Sequence, residues 1–241
     1  MDRSSFSSHS VQPRRDLKTH YLLAYNLVSS ILWFAVLARV LLLIPLVGFA
    51  HVSGGVGEFA KWTQTLAVLE VVHSALGLIR SPLPTALLQV FSRLFLIWAI
   101  CTPYPTATTP SPFYSTMLLA WSLTEVVRYS YFVFTLRGGV PAFEGTDTER
   151  RIMQGIAWAR YNFFYALYPL GICSECVLVW KAGREAGGWV QLGCWVVLGA
   201  YVPGEQLYPL LAYDRAKTED DAREGEGEDW DTALVANSLT I

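Results

Sequence analysis

Tyr168 and Glu175 stand seven residues apart in the run RYNFFYALYPLGICSE (160–175), inside an otherwise apolar stretch. On a helix that spacing puts both side chains on one face, about 10 Å apart along the axis. A phenol and a carboxylate flanking a narrow gap suit proton transfer at two neighbouring atoms, one group giving and the other taking. Pro169 removes a backbone hydrogen bond beside Tyr168. Gly171 leaves room for a ligand or a neighbouring helix to approach.

Polar groups interrupt other apolar runs as well. Glu70 and His73 are three residues apart, Gln89 and Arg93 four, and Glu125 and Arg128 three, so each pair shares one helical face. A charged group at mid-bilayer costs about 2.5–3.5 kcal/mol on insertion scales and usually turns toward a cavity or a partner. Polar faces on several helices therefore imply a shared hydrophilic interior. Glu125 with Arg128 reads equally well as an ion pair holding a bundle together or as a substrate-positioning pair. His73, alone on an apolar helix, reads as a satisfied interior residue more readily than as a catalyst. Arg39 and Arg160 read as snorkelling or interfacial cations.

The composition says what kind of helices carry these groups. Charged residues make up 16% of the 241-residue chain and hydrophobic residues 53%, with a mean hydropathy of +0.34; soluble domains carry roughly 25% charged residues. Most charges gather in the first twenty residues, in short breaks between apolar runs and in the last thirty. That distribution excludes a soluble core of this size and points to an all-α, polytopic membrane protein. A span needs about 20 mostly apolar residues. Six stretches qualify, at 21–47, 62–79, 83–101, 113–136, 157–180 and 189–213. Turn chemistry separates them at 53–57, 80–84 and 102–106.

Cytoplasmic loops retain positive charge, which orients the bundle. With six spans the two termini share a side. The N-terminal segment, Arg80, the fourth-to-fifth connection and the tail then hold eleven Lys and Arg residues together, and the opposite side only Lys61, Lys181 and Arg184. Both termini are expected in the cytoplasm. The expected layout is a disordered N-terminal segment at 1–18, a six-helix transmembrane domain at 19–213 and an acidic, Gly-rich, disordered tail at 214–241. The first apolar run is too long for a signal-peptide core and has no suitable cleavage site after it, so it reads as a permanent span.

Other classes drop out. There is no basic stripe suited to nucleic acid. The four cysteines lie in or near apolar runs and outline no disulfide framework. Cys173 and Cys176 form a CysXXCys, but inside an apolar helix, with no second cysteine pair and no suitably placed His. They read as small hydrophobes, and no metal site is expected.

Five ordered segments carry a further signal: YLLAYN (21–26), LEVVHSALG (69–77), QVFSRLFLIW (89–98), WSLTEVVRYS (121–130) and RYNFFYALYPLG (160–171). With them the chain resembles the very-long-chain (3R)-3-hydroxyacyl-CoA dehydratase family, also called protein tyrosine phosphatase-like, over roughly residues 18–217. The resemblance implies loss of water from a 3-hydroxyacyl-CoA to give a trans-2-enoyl-CoA, the third step of fatty acid elongation, in the endoplasmic reticulum membrane. It implies no cofactor. It implies partners in the same cycle, namely a ketoacyl-CoA synthase, a ketoacyl-CoA reductase and an enoyl-CoA reductase.

The family's catalytic Tyr, in its TyrProxGly motif, matches Tyr168, and the Glu seven residues on matches Glu175. Its supporting residues match Arg93, Glu125, Arg128 and Gly171. One group must take the C2 proton, acidified by the thioester carbonyl, and another must protonate the departing C3 hydroxyl. Glu175 is assigned as base and Tyr168 as acid, with the reverse order open. Arg93 or Arg128 would polarise the thioester or hold Glu125 in place. The acyl chain would lie among the helices, with the CoA head at a cytoplasmic mouth near basic loops.

Three departures from the family pattern stand out. The stretch behind the old phosphatase label has Arg80 in place, but Ser74 stands where the thiolate would be, which argues against phosphatase chemistry. The fifth-to-sixth connection is short, and the chain ends AsnSerLeuThrIle without a dilysine signal. Two rivals to the enzyme remain. One is a catalytically silent scaffold of the elongase complex, disfavoured by the intact Tyr168 and Glu175. The other is a small-solute transporter, disfavoured by the absence of an inverted repeat.

Overall fold

The computed structural model describes residues 17–79, 83–138 and 147–199, and every regular element among them is helical. Helix α1 (Leu17–Val47) buries Leu22, Asn26, Ser29, Trp33, Val36 and Val40, a strip recurring every three or four residues. Its other face is equally apolar, with Leu27, Ile31, Phe34 and Leu42 exposed. Asn26 stays on the buried strip by donating its amide to the Leu22 carbonyl, at 2.7 Å. Gly48, at φ +82°, ends the helix and donates its N–H to the Ile44 carbonyl at 3.0 Å, a left-handed cap that side chains disfavour.

The chain returns through α2 (Ser53–Thr65) and α3 (Val68–Ala75). The sequence predicts one uninterrupted span over 62–79; the structure breaks it at Leu66 and Ala67, where ψ of −22° and −14° tightens the backbone toward a 3₁₀ turn. Helix α4 (Leu83–Phe95) runs on into a widened, π-helical turn at Leu96–Cys101. There the Thr102 N–H reaches back five residues to the Ile97 carbonyl, at 3.0 Å. A short α5 (Pro105–Thr108) leads to α6 (Pro112–Gly138), then come α7 (Asp147–Glu185) and α8 (Gly188–Gly199). Most of the expected N-terminal segment, all of the expected tail and the sixth span beyond residue 199 lie outside the described residues.

Helix α6 is the central rod, packed along α1 on one side and α7 on the other. Small hydroxyl pairs sit at both contacts: Ser30 with Ser130 at 3.0 Å, and Thr116 with Ser174 at 2.7 Å. At its start, the Ser115 hydroxyl donates to the Phe49 carbonyl at 2.6 Å and the Ser111 N–H to the Ala50 carbonyl at 2.8 Å. Those bonds tie the α1–α2 turn to α6. Among the described residues α1 alone is long and apolar enough by itself to cross a membrane; the two arms of α7, taken as one bent span, make a second. Helix α6 is 27 residues long, about 40 Å, but its hydroxyl residues, Glu125 and Arg128 dilute its apolarity.

The arms of α7, 151–160 and 165–185, diverge by 43°. The bend falls one turn before Pro169, whose ring crowds the carbonyl four residues earlier, that of Tyr165. Near its other end, Gly183 meets α8: a Cβ there would lie 2.9 Å from the Cys194 Cβ. At Gly55 the nearest atom is the tip of the Leu43 side chain, at 2.7 Å, which can swing aside. Gly183→Val is therefore expected to destabilise the fold by about 1–3 kcal/mol. Gly55→Ala should be tolerated. Thermal unfolding of the detergent-solubilised variants checks the contrast, and equal melting points would remove the close α7–α8 contact.

Candidate active site

Glu125 lies on α6 with 3% of its surface exposed. An ionised carboxylate buried to that degree needs counter-charges and hydrogen bonds at hand. One oxygen accepts a hydrogen bond from Arg93 Nη1 of α4. The other faces Arg128, one turn further along α6, with Nε at 2.8 Å and Nη2 at 2.6 Å. Arg128 also forks onto Glu70 of α3, with Nη1 to Oε2 at 3.0 Å and Nη2 to Oε1 at 2.8 Å. The Tyr129 hydroxyl donates to the same Glu70 carboxylate. The charges alternate along the chain Arg93, Glu125, Arg128, Glu70 and sum to zero. Planar two-point contacts of this kind are the strong form of the Arg–carboxylate pair.

Spacing puts each of the three pairs on one helical face, and the structure adds the contacts between helices. Glu125 and Arg128 meet within α6. Glu70 goes across to α6, Arg93 goes to Glu125, and Gln89 is exposed. His73, 2% exposed, shares a hydrogen bond of 2.8 Å with the Tyr21 hydroxyl. The Tyr25 ring stands edge-on to it at 4.8 Å. It is the satisfied interior histidine that its apolar surroundings predict. Arg39 lies over the Phe59 ring at 4.2 Å and Arg160 over Tyr131 at 4.9 Å, so each has an aromatic partner.

Tyr168 and Glu175 are both half-buried on the long arm of α7. Glu175 Oε1 accepts a hydrogen bond from Trp121 Nε1 of α6 at 2.8 Å. The Arg93 guanidinium stands 5.0 Å from the centre of the Trp121 ring. Trp121 thus joins Glu175 to the ion chain, with one edge on the carboxylate and a face toward the cation. At the preceding residue, Ser174 bonds Thr116 at 2.7 Å and the Leu170 carbonyl at 2.7 Å, setting the register of α7 on α6. Gly171 faces Ala120, and a methyl there would sit 3.8 Å from the Ala120 Cβ. The neighbouring helix therefore accepts an alanine at 171 at ordinary contact distance. Cys173 and Cys176 lie on the same arm and are not joined in a disulfide.

The structure brings Arg93, Glu125 and Arg128 into direct contact and reaches Glu175 through Trp121. Spacing alone does not find Trp121 or Tyr129. The signal was present: they lie four residues before and four after Glu125, on its face of α6, and a buried indole N–H needs an acceptor.

A family model described as protein tyrosine phosphatase-like protein, PTPLA, matches residues 64–208. The chain belongs to that family. The match takes in Glu70, Arg93, Glu125, Arg128, Tyr168, Gly171 and Glu175. A probable very-long-chain (3R)-3-hydroxyacyl-CoA dehydratase of Schizosaccharomyces pombe is 39% identical over 82% of this chain and 90% of its own length. The very-long-chain (3R)-3-hydroxyacyl-CoA dehydratase hpo-8 of Caenorhabditis elegans is 32% identical over 82% of this chain and 93% of its own. The dehydratase PASTICCINO 2 of Arabidopsis thaliana is 34% identical over 67% of this chain and 68% of its own. No solved structure matches this member of the PTPLA family.

The ion chain makes unequal demands on its members. Glu125→Ala leaves two guanidinium groups facing an empty site and is expected to cost about 3–5 kcal/mol. Tyr129→Phe removes one hydrogen bond from a carboxylate that Arg128 still holds, at about 1–2 kcal/mol. Melting temperatures in detergent rank the two, and the reverse order would overturn the reading of Glu125 as the hub.

Proposed function

We propose that this protein dehydrates a very-long-chain (3R)-3-hydroxyacyl-CoA to the trans-2-enoyl-CoA within the fatty acid elongation cycle. One observation carries the reading. On α7, seven residues past Tyr168, Glu175 is held at 2.8 Å by the Trp121 indole, at the end of a neutralised ion chain. The names of the relatives supply the substrate class.

At neutral pH the group that can accept a proton is a carboxylate and the group that can give one is a phenol. Glu175 takes the C2 proton, the C2–H electrons form the C2=C3 bond, and the C3–O bond breaks. Tyr168 protonates the departing hydroxyl, which leaves as water. Return of the proton from Glu175 to Tyr168 resets the pair, and no electrons are gained or lost overall. Arg93 and Arg128 both face Glu125, which supports a positioning role for them over direct polarisation of the thioester. Trp121 is likewise a positioning residue, fixing one oxygen of the base.

The purified protein in detergent, given a long-chain (3R)-3-hydroxyacyl-CoA, is expected to form the enoyl-CoA. Tyr168→Phe and Glu175→Gln should each lower turnover about 10²–10⁴-fold. Trp121→Phe keeps the ring and loses one hydrogen bond to a charged group; it should lower kcat roughly tenfold or more with KM little changed. An inactive wild type would sink the enzyme reading and leave the scaffold. Fully active variants would sink only the site.

The setting we propose is the endoplasmic reticulum membrane, with six spans within 19–213 and both termini, 1–18 and 214–241, in the cytoplasm. The apolar outer face of α1 and the asymmetry of Lys and Arg support it. The enzymes that make the 3-hydroxyacyl-CoA and reduce the enoyl-CoA are then its neighbours in the cycle. An epitope placed at each terminus should be open to protease in sealed microsomes. Protection of either one would overturn the shared side.

A further inference from the structure

Gln64 is a neutral amide in the protein interior, 2% exposed, and among the described residues its Oε1 has no hydrogen-bond partner. Buried polar atoms are nearly always paired, and an unpaired one in apolar surroundings is costly. The described fold does not use this acceptor, which leaves it for something that binds. An unmet carbonyl oxygen selects its ligand in one respect: the ligand must bring an O–H or N–H.

Two contacts between α2–α3 and α6 fix where this acceptor sits. At Gly57 a Cβ would stand 3.4 Å from the Tyr114 hydroxyl, and further along the same path Glu70 holds Arg128 at 2.8 Å. The two helical paths therefore run in the same direction. Gln64 is seven residues past Gly57, and Trp121 is seven past Tyr114. Seven residues are nearly two full turns, about 10 Å, and return each helix to the same face. The acceptor therefore lies level with Trp121, the residue whose indole holds Glu175. Two neighbours agree with that placement. Ala60, one turn before Gln64, belongs to the same buried core as Trp121. Thr65 takes the Trp98 indole N–H at 3.1 Å in an exposed contact, and Gln64 is on the other, buried side of that turn.

We propose that Gln64 accepts a hydrogen bond from the C3 hydroxyl of the substrate and so selects the hydroxyacyl thioester over acyl chains that lack it. The proposal rests on the dehydratase reading above. Around the reacting carbons that hydroxyl is the only O–H or N–H; the thioester carbonyl can only accept. Its oxygen receives the proton from Tyr168 while its own hydrogen stays on the Gln64 carbonyl, so the group leaves as water still held by the amide. The enoyl product has no such donor. A bound water and the amide N–H groups of the CoA arm are other sources of a donor, and neither distinguishes a hydroxyacyl chain from a plain one.

The experiment compares wild type with Gln64→Met, which keeps the length of the side chain and removes the acceptor. Two constants are measured in detergent: kcat/KM on a long-chain (3R)-3-hydroxyacyl-CoA, and the inhibition constant of the saturated acyl-CoA of equal length, which lacks the hydroxyl. The variant should lose about 10–100-fold in kcat/KM while binding the saturated analogue as tightly as wild type does. Its melting temperature should be unchanged or higher, because an apolar group has replaced an unpaired acceptor. Full activity in Gln64→Met, or equal weakening of both ligands, would overturn the proposal and assign the amide to a water or to the CoA arm. A lower melting temperature would overturn it too, by showing that folding needs the amide. In each of these cases an active wild type leaves the dehydratase reading standing; a wild type inactive on every hydroxyacyl-CoA overturns both.

Discussion

An ionised carboxylate in an apolar interior must find its counter-charge where it lies, because desolvating a single ion costs several kcal/mol even after relaxation. Glu125 meets that demand with one guanidinium from α4 and one from its own helix, and Arg128 passes the demand on to Glu70. Three helices are committed by that chain: α3 must come to α6 at Glu70, and α4 must come to it at Arg93. No apolar packing arrangement specifies those points so sharply, since one Leu face slides on another at little cost while a forked Arg–carboxylate contact does not.

Helix α6 then offers the opposite end of the same polar strip to α7. Trp121 presents its N–H to Glu175 and its ring to Arg93, so the position of the candidate base follows from the position of the ion chain. Small residues let the two helices approach here: Ala120 beside Gly171 and Thr116 beside Ser174. Pro169 bends α7 immediately before this contact, turning its first arm by 43°.

Much of the fold was legible. Apolar runs punctuated by Gly and Pro locate α1, α4 and α6 to within a few residues, and the family resemblance singles out the residues that cluster. What was not legible shares one cause. Spacing along a chain finds neighbours on one helical face, such as Glu70 with His73 and Gln89 with Arg93, and says nothing of partners on other helices. The structure pairs Glu70 with Arg128, Arg93 with Glu125 and His73 with Tyr21. Trp121 escaped notice because an indole in an apolar run reads as core, and its single polar atom matters only when an acceptor from another helix stands opposite. The break at Leu66 and Ala67 has no breaker residue to announce it.

The sequence by itself determined that the chain is helical, which face of each helix is polar, and that a phenol and a carboxylate seven residues apart share the same stretch of helix. Those are local properties, set by a period of 3.6 residues and by the cost of leaving charge in apolar surroundings. Only the tertiary structure decided which charge neutralises which, and that Trp121 links Glu175 to Arg93. Such facts depend on the rotation and depth at which whole helices meet. Those are set by the joint packing of residues far apart in the chain, and no spacing within one helix encodes them.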